Sequence, residues 1–254
     1  MLGIGLVYGM NNPATVWGGD QALFFDGVND YAKFDTRGFN AASNILINTM
    51  HVSIWVLLKN EGSDTQTIFY IKDVDGTAYA KLCYATDTEQ YIVTRTDTDG
   101  NNPVNLTHDF PLAGFPDGQV NIHVRITEGA MAISTSGAGI STTSTTSGGS
   151  GVWDSDTEVE LYLGRDLSSG SDLFQGWMSN LAIWNEDSWG GASNADIFNS
   201  GEPKNELETA NSGLFLYYTA SEAATSSNGQ TITYSQAYDN DVMVFYGPIL
   251  TGHG

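Results

Sequence analysis

The run Ala22-Leu23-Phe24-Phe25-Asp26-Gly27-Val28-Asn29-Asp30-Tyr31-Ala32-Lys33-Phe34 constrains the fold of this chain more than any other segment. Asp26-Gly27 supplies the positive φ that a tight turn needs, and the residues on either side alternate in exposure, so the run reads as two strands folded over a turn. Alternation of period two recurs along the chain, and long stretches of period 3.6 are absent. Val52, Ile54, Val56 and Leu58 share one face, with Ser53, Trp55 and Leu57 on the other. Ile122, Val124 and Ile126 point one way, while Asn121, His123, Arg125 and Thr127 point outward. Val159, Leu161 and Leu163 alternate with Glu158, Glu160 and Tyr162, and Leu181 and Ile183 oppose Met178, Ala182 and Trp184. Further Asp-Gly pairs at Asp75-Gly76, Asp99-Gly100 and Asp117-Gly118 punctuate the strands as turns. Many short strands so spaced predict an all-β, two-sheet antiparallel sandwich.

The remaining sequence fits one domain spanning 1–254. A sandwich of this size is ordinary, and 41% hydrophobic residues, with 11 Phe, 12 Tyr and 6 Trp, supply a core. Residues 134–151, rich in Ser, Thr and Gly, read as a loop with an edge strand at Ile140. One short helix is expected over 193–199, with Ser193 and Asp196 at its start and Gly201 closing it. Residues 214–218, 232–234 and 242–246 read as further strands, which either complete the sheets or offer a surface for assembly.

Nine Lys and Arg stand against 30 Asp and Glu, for a formal charge of −21. That balance excludes nucleic acid and anionic membrane surfaces as expected partners, because both are held by Lys and Arg. Cys83 is the sole cysteine, so no internal disulfide exists. Residues 1–10 are apolar but lack a basic region and are too short for a membrane span, so a strand is expected there rather than a signal peptide.

Five segments, taken in order, resemble laminin-G-like and concanavalin A-like jelly-roll domains. Residues 22–31 are similar to the family's opening, a-L-x-F-D-G-x-x-D-Y. His51-Val52-Ser53-Ile54-Trp55-Val56 resembles its f-T-i-s-a-W-v strand, and residues 120–133 with Gly139-Ile140 resemble the hairpin that crosses the sheet. Leu161-Tyr162-Leu163-Gly164-Arg165 resembles l-x-i-G, and residues 174–185 resemble f-x-G-x-I-D-E-V-R-I-Y-N. The resemblance covers about residues 22–201, leaving 1–21 and 205–254 as flanking β segments. It implies a domain that binds glycans or proteins, usually outside cells, and often one carrying a structural calcium. Ser179-Asn180 stands where the family pattern has two acids, so that ligand set is incomplete. Asp26, Asn29 and Asp30 remain the candidate calcium ligands, against the plainer reading that they make Asx hydrogen bonds within the turn.

Catalytic patterns are scarce. No Glu is followed two residues later by Asp, so the E-x-D motifs of jelly-roll glucanases do not occur. Asp154, Asp156, Glu158 and Glu160 would share a face on a continuous strand, and read as a solvated face rather than a site. His51, His108, His123 and His253 show no metal-ligand spacing; His123 reads as an exposed bystander, and Cys83 as a small core residue. Trp153 and Trp189 lie in polar surroundings and are the candidate ligand-stacking residues, whereas Trp55 and Trp184 read as packing residues. The expectation is therefore a non-enzymatic structural or adhesion protein at a virion or extracellular surface, such as a phage capsid decoration, fibre or tail-associated component. Its expected partners are other surface proteins, further copies of itself and cell-surface glycans, with no required cofactor. A stand-alone lectin-like module is the alternative, and a glycoside hydrolase or polysaccharide lyase the third reading.

Overall fold

The computed structural model describes residues 21–28, 30–35, 49–59, 65–73, 77–96, 101, 103–110, 119–127, 130–137, 140–148, 159–166, 172–184, 214–218, 223–225, 231–237 and 244–246. Among these residues all regular structure is β. The strands are β1 (Gln21–Asp26), β2 (Tyr31–Asp35), β3 (Thr49–Leu58), β4 (Thr65–Asp73), β5 (Tyr79–Ala85), β6 (Gln90–Arg95), β7 (Val104–Asp109) and β8 (Val120–Thr127). They continue as β9 (Ala130–Gly137), β10 (Ile140–Gly148), β11 (Val159–Leu163), β12 (Gln175–Trp184), β13 (Leu214–Tyr218), β14 (Ala223–Thr225), β15 (Thr231–Ala237) and β16 (Val244–Tyr246). The helix expected over 193–199 and the strand expected over 1–10 lie outside the described residues.

All pairings are antiparallel and form two sheets. The first runs β10-β9-β8-β3-β12, and the far edge of β12 pairs first with β1 and then with β13. The second runs β15-β2-β11-β4-β5-β6-β7. The C-terminal strands pair within these sheets: β13 on β12, β15 on β2 and β16 on β1, while β14 bridges β13 to β15.

β1 and β2 do not pair with each other. β1 lies against β12 and β16 in the first sheet, and β2 against β11 and β15 in the second. The Asp26-Gly27 turn is a corner that passes the chain between layers, with Gly27 at φ 80°. Alternation reports which face of a strand is buried and not which strand lies beside it, so a corner and a hairpin read alike in sequence.

Between the layers, Val52, Ile54 and Val56, Ile122 and Val124, and Leu23 and Phe25 meet Phe69, Ile71, Leu82, Leu161 and Leu163 in one apolar core. Alternation misplaces one residue. Met178 joins Leu181 and Ile183 in this core rather than opposing them. β12 has a bulge between Ser179 and Ala182, and Asn180 sits there at φ 49°. One extra residue reverses the side-chain parity, and Asn tolerates the left-handed region better than most residues.

The outward-facing residues of the first sheet are buried too. Trp55, Trp184, Asn121 and His123 are 1%, 0%, 0% and 4% exposed. His123 is therefore no exposed bystander; its Nε2 pairs with Asn121 Oδ1, which shares its face of β8. Trp55 and Trp184 are packing residues, and Trp55 clusters with Ala22 and Trp177. Polar clips join the two layers. Gln66, fully buried, accepts from the Gln175 amide (2.9 Å) and donates to the Lys59 carbonyl (3.1 Å). His108 on β7 meets Thr135 Oγ1 on β9 at 3.0 Å, and burial lowers the His108 pKa.

Candidate functional site

The second sheet has one apolar face and one of a different character. Because Leu161, Leu163, Ile71 and Leu82 face the core, alternation turns Lys33, Glu160, Tyr162, Tyr70, Lys72, Tyr79 and Lys81 to the other side. Cross-strand register aligns Lys33, Tyr162, Tyr70, Lys81, Thr94 and Asn105 in a single row. A second row runs Asp35, Glu160, Lys72 and Tyr79.

The tyrosines form a connected group. Tyr70 stacks on Tyr79 with centroids 5.6 Å apart and an interplanar angle of 30°, lies 6.3 Å from Tyr162, and Tyr162 lies 6.2 Å from Tyr31. Cations sit over the rings: Lys33 on Tyr162 at 5.5 Å, Lys81 on Tyr79 at 6.0 Å and Arg165 on Tyr31 at 5.2 Å. Four of the nine basic residues of this acidic chain are thus gathered on one face.

Two carboxylates neutralise three of those cations. Glu160 accepts from Lys33 Nζ (2.5 Å) and from the Tyr162 hydroxyl (2.6 Å), with Lys72 Nζ at 3.7 Å. Asp166, fully buried, pairs with Lys81 Nζ at 2.5 Å. Burial pushes the Glu160 carboxyl up, but the hydrogen bonds from Lys33 and Tyr162 and the charges of Lys33 and Lys72 outweigh it and hold the pKa below the ordinary value. Glu160 was expected on a solvated acidic face; instead it is 7% exposed and cation-paired. The other carboxylates of that run, Asp154, Asp156 and Glu158, lie outside the described residues.

At Glu160, Tyr70 and Tyr162 the surroundings do not favour proton transfer near neutral pH. A glycosidase acid needs a carboxyl kept protonated near neutral pH, and Glu160 is held the opposite way. A tyrosinate base needs a lowered pKa, whereas burial, then the Asp166 and Tyr79 charges, push Tyr70 up to about 12. Burial and the adjacent Glu160 likewise raise Tyr162. Cys83 is buried with its thiol raised to about 11, chiefly by burial, which suits a packing residue and not a nucleophile.

Of the sequence-predicted ligand residues, Asp26 and Asp30 are described. Trp153, Trp189 and Asn29 lie outside the described residues. At the β1–β2 corner, Asp30 Oδ2 accepts from the Asp26 amide (2.8 Å) and Asp26 Oδ1 from the Val28 amide (2.7 Å). Calcium takes six to eight oxygens, and these two side chains do not make such a site by themselves. Among the described residues, no group of three or more His, Cys, Asp or Glu is arranged to hold a metal ion.

The tyrosine–lysine face escaped sequence reading because its residues come from β2, β4, β5 and β11, far apart in the chain. The available signal was the alternation itself: Tyr70-Ile71-Lys72, Tyr79-Ala80-Lys81 and Tyr31-Ala32-Lys33 repeat one pattern, Tyr-x-Lys with a small or apolar residue between.

No family model matches this sequence, and no curated protein matches it. Solved structures do match in shape. A heptameric SAP-like pentraxin from Limulus polyphemus superposes with a TM-score of 0.54 at 11% identity, over 90% of this chain and 95% of its own. The LG1-3 region of the laminin alpha2 chain gives 0.51 at 12% identity, and the receptor binding domain of a botulinum neurotoxin C/D mosaic serotype 0.51 at 14%. The matches cover 65% and 70% of this chain, but only 31% of the laminin chain and 41% of the toxin chain. Two antiparallel sheets with these neighbours establish that the chain has the jelly-roll sandwich fold of laminin-G-like and concanavalin A-like domains.

Proposed function

We propose that this chain is a non-catalytic adhesion module, carried on a virion or another surface, that binds glycan through the outer face of its second sheet. The observation that carries the reading is the half-buried set of Tyr31, Lys33, Tyr79 and Lys81, supported from below by the buried rings of Tyr162 and Tyr70, in a chain otherwise poor in cations. Sugar rings present C–H faces to aromatic rings, and Lys, Arg and hydroxyl groups serve the sugar hydroxyls. The fixed Glu160 and Asp166 pairs hold the lysines in place before a ligand arrives, which lowers the ordering cost of binding. The fold is compatible with the role, being shared with a toxin domain described as receptor-binding. Self-association and docking to other surface proteins complete the proposal.

A glycan array probed with the purified protein, in calcium and again in chelator, tests it. A selective, saturable signal is expected, and it should persist in chelator, because the sheet face needs no metal. A flat array under both conditions would overturn the glycan reading and turn the search to a protein partner. A signal lost in chelator would overturn the assignment to this face and point to the Asp26–Asp30 corner.

A further inference from the structure

Resting on that glycan reading, we propose that Arg165 anchors a single carboxylate carried by a sugar. Among the described residues, Lys33 and Lys72 share Glu160 and Lys81 takes Asp166, whereas no carboxylate pairs with Arg165. Its guanidinium lies 5.2 Å over the Tyr31 ring, and its Nε is buried without a hydrogen-bond partner. Such a donor is unfavourable until an acceptor reaches it. A guanidinium offers its donors in a planar fork, the geometry a carboxylate matches by bidentate contact.

The backbone that carries Arg165 is pinned on both sides. The Gly164 amide donates to the Ile68 carbonyl (3.1 Å), and the Gly164 carbonyl accepts from the Phe174 amide (2.9 Å). The neighbouring Asp166 is directed to Lys81, so among the described residues no carboxylate compensates Arg165. From Arg165, the bound sugar would extend over the half-buried Tyr31, whose ring is backed by the buried Tyr162 at 6.2 Å between centroids. The chain's charge of −21 selects for one negative charge over many. A lone carboxylate feels mainly its nearest partner within a screening length of about 8 Å, whereas a polyanion meets the repulsion of the rest of the surface.

The test is calorimetric titration of the intact chain with uronate-terminated oligosaccharides (glucuronate and galacturonate), their neutral hexose-terminated counterparts, and heparin. The uronate ligands are expected to bind tightest. Arg165→Gln should weaken them by about tenfold or more, the loss of one charge-assisted bidentate contact, while leaving neutral ligands unchanged. Arg165→Lys should fall between, since it keeps the charge but not the fork. Both variants should unfold cooperatively within a few degrees of wild type, since they lose the contact over Tyr31 but, among the described residues, no hydrogen bond of Arg165 Nε. Equal binding of neutral and uronate ligands, unchanged affinity in Arg165→Gln, or tightest binding to heparin would overturn the carboxylate anchor and leave the glycan reading standing. No binding to any saccharide, on the array or here, would overturn both.

Discussion

Replacing Gly176 with alanine is expected to cost the fold at least about 4 kcal/mol, a large share of the 5–15 kcal/mol that holds a typical domain. Gly176 sits at φ 140° in β12, and a Cβ built there would lie 2.1 Å from the Leu57 carbonyl oxygen and 3.2 Å from the Lys59 nitrogen. The obstacle is backbone of the paired strand β3, so relief requires β12 and β3 to separate at the centre of the first sheet. The dihedral adds its own strain, because L residues rarely adopt it. Gly164→Ala should cost less, roughly 3 kcal/mol, since its Cβ would meet the Phe25 ring at 2.6 Å and a side chain can yield where a carbonyl cannot. Phe25 is fully buried and packs edge-on to Phe174 at 5.8 Å, so its yielding is limited. Urea unfolding checks both variants. A Gly176→Ala midpoint close to wild type would contradict the close approach of β12 to β3.

The second large effect concerns the buried ion pair beneath the proposed binding face. Asp166→Ala is expected to destabilise the chain by about 2–4 kcal/mol, because it strands the Lys81 ammonium, 18% exposed, without its anion. Residual solvent contact at Lys81 keeps the figure below that of a fully enclosed pair. Combining Asp166→Ala with Lys81→Met should cost less than the sum of those two single changes, since removing both charges abolishes the desolvation penalty that removing one exposes. If the double variant proves as unstable as the two single changes summed, the pair is not coupled as described.

The sequence stated the architecture more clearly than the site, and the physical reason is range. Strand faces such as Val52, Ile54 and Val56 against Trp55 follow from the two-residue period of a strand and need no neighbour to be known. The glycines of Leu163-Gly164 and Gln175-Gly176 were visible as parts of a resemblance, but their cause, the closeness of Phe25 and Leu57, lies in tertiary packing. Met178 was assigned to the wrong face because the bulge at Asn180 shifts parity without a strong local signature. His123 was assigned to solvent because alternation marks one face as apolar but does not say that the other is uncovered; in this fold it is covered. The Tyr–Lys face depends on β11 lying between β2 and β4, a pairing across residues more than ninety apart in sequence for Tyr162 and Tyr70. Single-strand patterns hold no information about that neighbour. The tyrosine cluster is drawn from four strands, whereas Trp153 and Trp189, the candidates that local composition offers, lie outside the described residues.

The central claim is that the outer face of the second sheet is the ligand surface, and Tyr79 tests it most directly. Tyr79 is half-buried and stacked on Tyr70, so Tyr79→Ala removes an accessible ring without opening the main core. With the saccharide that the array identifies, the affinity of Tyr79→Ala should fall by at least about tenfold while its unfolding transition stays cooperative, as for a contact residue at the centre of an interface. An affinity equal to wild type in a folded Tyr79→Ala chain would place the ligand elsewhere and contradict the account.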